Sequence, residues 1–456
     1  MEHIGFIGLG ALITLLVLGV PVTFAMGAVS ITGLIIVSGV SGALPQVMMV
    51  GMQTGTDFIL LCIPLFVFMG KMVFHTGIAR ELFTCVEAWF GRLRGGLLIS
   101  SVITCAAFGA VTGSSSASVA TMAGILRPEL KRYKYDDELS SGAITSAGTL
   151  AILIPPSAGF IFYGVLTDTS VGKLFLAGVL PGLLSTAVYC IYCWLRCLIH
   201  PELGPIGAKH TWTEKIVSLK GTWGLLVLFS IVIGGIYSGV CTPTEAAGIG
   251  VVGVLGISLV QRKLNLKVLR SAMIDTAYVA AMIYGIILTG YLLARFLAVT
   301  GASKALVDCV ADMGLNQYMF LLVVAVLYLI LGTMLDMFGL LILTLPFFFP
   351  LVQHFQIDPV WFGVFAVIMA EVGLLSPPVG VNVFVMHASA PDIPMGKIFR
   401  GVLPFMLMNL AIVLLLTLFP IIATWLPGVA MRMSGIHLAI PVFSKGYRPK
   451  QGKVAP

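Results

Sequence analysis

Apolar runs of bilayer-spanning length recur from one end of this sequence to the other. They fall near residues 4–22, 25–43, 58–75, 171–197, 221–240, 246–260, 271–297 and 401–425. About 20 apolar residues cross the hydrocarbon core as a helix. Within that core the chain must satisfy its own backbone N–H and C=O groups, which helices do segment by segment. Only 10% of the 456 residues are charged and 59% are apolar, against about 25% charged in an ordinary soluble domain. So little polar surface excludes a soluble enzyme, a secreted disulfide scaffold and a disordered chain. The expected fold class is an all-α polytopic membrane protein.

The net charge of +7 does not mark a nucleic-acid partner, because the cations are scattered through short inter-span loops. Basic loops at 196–220, 261–270 and 397–400 fit the cytoplasmic side of a membrane protein surrounded by lipid. The loop at 198–220 is too short for a second soluble domain. The first twenty residues start acidic rather than basic and run into further spans, so they read as a retained first helix. Eight cysteines, including the pair Cys190 and Cys193, lie mostly in apolar or amphipathic stretches without the polar neighbours a zinc site needs. No Walker-type Gly-rich loop is present, so ATP hydrolysis by this chain is not expected. Nor do the seven histidines form a metal-ligand pattern, and the reading is of a protein with no catalytic residues and no cofactor.

An internal repeat organises the rest. Pro21 and Pro243, Pro128 and Pro350, and Pro155-Pro156 and Pro377-Pro378 each lie 222 positions apart. Gly109 pairs with Gly332, and Tyr135-Asp136-Asp137 resembles Ile357-Asp358-Pro359. Thr76-Gly77 with Leu82 and Cys85 pairs with Thr300-Gly301, Leu306 and Cys309 at a separation of 224. A nearly constant offset implies two homologous halves, 1–220 and 221–426, followed by a tail at 427–456. In the first half a Gly- and Ser-broken apolar hairpin is expected at about 95–134 and a Pro-broken helix at about 139–168. Their counterparts are a hairpin at about 318–353 and a broken helix at about 360–389.

Charge orients the halves. Arg92, Arg94, Arg127, Lys131, Arg132 and Lys134 flank the first hairpin, so both its ends are expected on the cytoplasmic side, as in a re-entrant segment. The flanks of the second hairpin, 312–317 and 353–358, contain no Lys or Arg, so that hairpin is expected to enter from outside. Inverted-topology repeats of this kind are a signature of ion-coupled transporters. Lys445, Arg448, Lys450 and Lys453 in the tail count to the outside and break the charge rule.

Four segments could carry chemistry. Gly113-Ser114-Ser115-Ser116-Ala117-Ser118 sits in the middle of the first hairpin, where hydroxyls and turn carbonyls offer hard oxygen ligands and helix N-termini can face an anion. The alternative is a small-residue helix-packing face. Ile154-Pro155-Pro156-Ser157, preceded by Ser146, Gly148 and Thr149, removes two backbone donors and frees carbonyls at membrane depth. Ser376-Pro377-Pro378-Val379-Gly380, with Asn382, repeats that pattern, and a structural kink is the competing reading. Gly332-Thr333-Met334-Leu335-Asp336 forms the second hairpin turn, and an intramembrane carboxylate there is a site candidate.

These residues group into two ion sites. The first comprises Ser114, Ser115, Ser116, Ser118, Thr149, Pro155 and Ser157, and the second Gly332, Asp336, Ser376, Pro377, Gly380 and Asn382. An organic anion would lie between them, touching Ser116, Ser157, Asp336 and Arg295. Neutral hydroxyls and carbonyls suffice for a monovalent hard cation, so sodium fits better than a proton. Arg295 is either a carboxylate clamp or a snorkelling anchor at a span end. Glu371 either joins the site or bonds the frayed helix. Glu245 and Asp57 read as helix-terminal charges.

At these residues the sequence resembles the large membrane subunit of the TRAP (tripartite ATP-independent periplasmic) transporters over nearly its whole length. The specific pieces are Thr242-Pro243-Thr244-Glu245-Ala246-Ala247, Ile154-Pro155-Pro156-Ser157 and Ser376-Pro377-Pro378-Val379-Gly380-Val381-Asn382. The resemblance implies an elevator-type secondary transporter in a bacterial or archaeal inner membrane. It further implies coupling to sodium, an organic acid such as a C4-dicarboxylate or sugar acid delivered by a soluble periplasmic binding protein, and a separate small four-helix membrane subunit. A stand-alone dicarboxylate–cation symporter is the alternative, and a channel or scaffold subunit a third.

Overall fold

The computed structural model describes residues 2–312 and 314–433; most of the tail, including Lys445, Arg448, Lys450 and Lys453, lies outside them. All regular elements among the described residues are helical. The first group is α1 (Glu2–Val17), α2 (Val22–Thr56), α3 (Cys62–His75) and α4 (Ile78–Phe90). Next come α5 (Gly96–Thr112), α6 (Ser115–Arg132), α7 (Asp137–Leu153), α8 (Ala158–Thr167) and α9 (Val171–Ile199). The second half contains α10 (Trp212–Tyr237), α11 (Pro243–Val260), α12 (Leu266–Thr300) and α13 (Ala302–Asp312). It continues through α14 (Gln317–Leu331), α15 (Met337–His354), α16 (Pro359–Leu375), α17 (Val381–Ser389), α18 (Met395–Leu418) and α19 (Ile421–Met433). Seven of these helices are individually long and apolar enough to cross a membrane, and nine spans result if two bent pairs each count once.

Several boundaries differ from the sequence expectation for identifiable reasons. The run at 401–425 is two helices, because Pro420 has no N–H to continue α18 and starts the turn into α19. α19 also carries helix past residue 426, where the tail was expected to begin. α2 is far longer than the run at 25–43 and is interrupted at Gly39, whose φ of 67° only glycine adopts readily. α4 and α13 were not anticipated as helices, since Arg80, Glu81, Lys304 and Asp308 break their apolar runs. α4 is amphipathic instead, burying Ile78, Leu82, Phe83 and Val86 on one face. Trp361 is buried in protein and donates its indole N–H to the Leu416 carbonyl at 3.0 Å.

Local chemistry is the same at paired positions of the two halves. Asp136 caps α7 by accepting from the Leu139 N–H, and Asp358 caps α16 by accepting from those of Val360 and Trp361. Lys134 and Gln356, 222 positions apart, are both left-handed (φ 59° and 53°). Gly77 and Gly301 mark the turns into α4 and α13 with φ of 74° and 77°. Glu245 closes a capping box with Thr242 at the start of α11, and Asp57 accepts from the Ile59 N–H after α2.

α7 and α16 form the core. Every residue from Leu139 to Leu153 and from Trp361 to Leu375 is buried, so neither helix presents a lipid-facing side. α7 packs against α5, α6, α9 and α18; α16 packs against α14, α15, α18 and α9. Close approach needs small residues. A Cβ on Gly109 would overlap the backbone of Ala151, and one on Gly332 would stand 2.7 Å from the Gly373 Cα. α2, α3, α11 and α12 pack together as a second group alongside.

Candidate functional site

The first hairpin breaks at Gly113 and Ser114. Gly113 (φ 59°) ends α5, and Ser114, in extended conformation, caps α6 by accepting from the Ala117 N–H. α7 ends at Ile154, and Ser157 restarts the chain as the cap of α8, accepting from the Phe160 N–H at 3.3 Å. These two breaks meet: a Cβ on Gly113 would lie 3.1 Å from the Ala158 nitrogen and 3.5 Å from the Pro156 carbonyl oxygen. The second hairpin tip joins them. Met337 lies over Gly159, and Phe338 stacks edge-on against Phe162 with centroids 5.2 Å apart.

The first hairpin also reaches the broken helix of the second half. Ser116 Oγ donates to Asn382 Oδ1 at 2.9 Å. Ser115 lies beside the carboxylate of Glu371, short of hydrogen-bond geometry. The polar atoms left over are the chemically informative ones. Ser118 Oγ, Ser146 Oγ, Asn382 Nδ2 and both carboxylate oxygens of Glu371 are buried without a hydrogen-bond partner among the described residues. Tyr189 on α9 adds a buried unpartnered hydroxyl beside Thr149 and Asn409. A buried polar group without a partner is destabilising by about 1–3 kcal/mol, so oxygens of this kind suit a hard cation. The Asn382 amide donor suits an anion.

Other expected residues are placed differently. Thr149 Oγ1 donates to its own helix at the Ser146 carbonyl (2.6 Å), and Ser376 Oγ to that of Val372 (2.9 Å). Asp336 is half-buried and caps α15, its Oδ1 accepting from the Gly339 N–H at 3.2 Å; one carboxylate oxygen therefore has a local structural partner. Pro155 is buried but Pro377 is exposed, and Gly380 (φ 63°) turns the chain into α17 against Phe399. Gly332 ends α14 in tight contact with α16 rather than at the meeting of the tips. Arg295 is apart from this cluster and donates its Nε–H to Gln46 Oε1 at 3.0 Å.

Two features were missed in the sequence. Tyr189 sits in an unbroken apolar span that gives no local signal. A cavity of about 240 Å³ beside the first tip is lined by Lys71, Thr112, Ser114, Thr121 and Phe338 among others, and Lys71 was passed over within the run at 58–75. At the end of the bundle with the basic flanks, Arg127 makes ion pairs with Asp137 (2.7 Å) and Asp392 (3.1 Å), and Lys131 with Asp392 (2.7 Å). This network fastens α6, α7 and the loop after α17 together.

Residues 9–422 match the family model described as Tripartite ATP-independent periplasmic transporter, DctM component. The chain belongs to this family. It is 35% identical over 379 residues to the C4-dicarboxylate TRAP transporter large permease protein DctM of Pseudomonas aeruginosa, covering 82% of this chain and 88% of that protein. It is 31% identical over 421 residues to the sialic acid TRAP transporter large permease protein SiaM of Vibrio cholerae, covering 91% and 96%. In fold, it is similar to the Alcanivorax borkumensis YdaH transporter, with a TM-score of 0.57 at 14% identity over 87% of this chain and 89% of that one. This TRAP large permease is thus a multi-pass membrane transport subunit and not an enzyme. Its relatives do not favour a stand-alone symporter.

Proposed function

We propose that this TRAP large permease imports an organic acid by sodium symport across a bacterial inner membrane. The acid is received from a soluble periplasmic binding protein, and a small four-helix membrane subunit accompanies the permease. The observation that carries this reading is the convergence of both hairpin tips and both helix breaks around buried polar atoms that have no partner among the described residues. Ser115, Ser118, Ser146 and Glu371 supply oxygens for cations; the Asn382 amide and the α6 N-terminus supply donors for an anion. Asp336 retains one carboxylate oxygen for a second cation beside the second tip. The matched chemistry of the halves, with the one-sided basic flanks, supports inverted repeats. In that reading the tips and α7, α8, α16 and α17 move as one body against α2, α3, α11 and α12, in the manner of an elevator.

The test is uptake of labelled acids, succinate first, into proteoliposomes holding this chain and its small subunit, with and without a sodium gradient and the binding protein. Uptake that requires both is expected. Uptake indifferent to sodium overturns the coupling ion, and uptake without the binding protein overturns the tripartite delivery.

A further inference from the structure

The cavity beside the first hairpin tip has α3 and α12 on one side and α5, α6, α8 and α15 on the other, so it lies between the two groups of helices. Its wall is mostly apolar, with Thr112, Ser114, Thr121 and one cation, Lys71. Lys71 interrupts the apolar helix Cys62–His75, where a charged side chain is expensive and calls for a function. Its nearest acid, Asp275 on α12, is 3.8 Å away. That is well beyond the roughly 2.7–2.9 Å of a charge-assisted hydrogen bond. The same Asp275 Oδ2 is instead bonded to His75 Nε2 at 3.0 Å. Lys71 makes no hydrogen bond to the described residues and has only this long ion pair, so its N–H donors at the cavity wall stay available. Arg295 is not an alternative, since it stands 13 residues along α12 from the cavity-lining Met282, about 20 Å at 1.5 Å per residue.

We propose that Lys71 receives the carboxylate of the transported acid, with the Ser114 hydroxyl donating to one of its remaining oxygens. This deepens the transport reading and rests on it. The volume restricts the acid. About 240 Å³ is below the roughly 300–1,000 Å³ of drug-sized sites. A site of this size suits a compact diacid better than a nine-carbon sugar acid.

The full chain with its small subunit and binding protein is assayed for uptake of labelled succinate and labelled N-acetylneuraminate. In parallel, purified wild-type protein is acetylated with an N-hydroxysuccinimide ester, with and without succinate, and labelling of Lys71 is read by mass spectrometry. Expected are a KM for succinate at least tenfold higher in Lys71→Gln, a smaller rise in Lys71→Arg, and succinate protection of Lys71 in the wild type. Matching elution profiles control for folding. An unchanged KM in Lys71→Gln with unprotected Lys71 overturns the assignment and leaves the transport reading intact. Wild-type uptake of N-acetylneuraminate but not succinate overturns the compact-diacid claim. No uptake of either acid by the wild type counts against the transport reading, and the protection experiment then decides Lys71 alone.

Discussion

The hydrogen bond from Ser116 to Asn382 is the one side-chain hydrogen bond seen here that ties the first hairpin tip to the broken helix of the other half. Asn382 is fully buried and its Nδ2 has no partner, so Ser116 supplies the only hydrogen bond its side chain makes among the described residues. Ser116→Ala would strip the amide of that bond and leave it orphaned, which is destabilising by about 1–3 kcal/mol. Asn382→Ala should be felt differently, because the half-buried Ser116 hydroxyl can turn to water. Side-chain hydrogen bonds between membrane helices average about 0.6 kcal/mol and reach about 1.7. With no competing partner, this pair belongs near the upper end. A double-mutant cycle on thermal unfolding and on succinate KM is then expected to give a coupling of about 1.5 kcal/mol, roughly tenfold. Additivity within about 0.5 kcal/mol in both readouts would refute the idea that this contact joins the halves in the transporting state.

Three further outcomes are expected. Glu371→Gln removes the one fully buried carboxylate among the described residues, so stability should hold or rise while the sodium concentration for half-maximal uptake rises at least fivefold; an unchanged sodium dependence removes Glu371 from the cation site. Gly373→Ala would place a Cβ 2.7 Å from the Gly332 Cα, against 3.4 Å or more in ordinary contact, and should destabilise by about 1–3 kcal/mol through overpacking. Gly248→Ala meets open space and should stay within about 0.5 kcal/mol of the wild type; equal melting temperatures for the two variants would contradict the packing argument. Lys131, with Arg127, holds the Asp392 carboxyl below the usual carboxylate range. Its folded value is depressed, so its contribution is present above the ordinary carboxylate value and is lost as pH falls through the folded one. Melting temperatures measured from neutral into acid pH should show a fall that Asp392→Asn flattens.

Helix, class and the positions of the breaks were legible because membrane helices and their interruptions are local properties. Pro155-Pro156 and Pro377-Pro378 stop a helix whatever surrounds them. Asp136 and Asp358 read as matched positions and turn out to perform the same capping task. What stayed hidden depends on which segments meet. Asp336 looked like an unpaired intramembrane charge, but its capping role required the backbone of Gly339. Glu371 remained undecided in sequence because its burial without a partner comes from helices that pack on α16 from distant parts of the chain. Lys71, a single cation in an apolar run, resembles a snorkelling anchor until the cavity beside it is seen.

The Arg127 network sets an order of events during synthesis. Arg127 is buried and shares its charge with Asp137, ten residues on, and with Asp392, 265 residues on. At about 5–20 residues per second, the second carboxylate leaves the ribosome some tens of seconds after the first. Through that interval Arg127 and Lys131 share the one carboxylate of Asp137, and α7 lacks α18 along its length. A chain truncated after the first 220 residues would keep that deficit permanently. Asp392, contributed late in the chain, thus completes a network whose other members lie near its beginning.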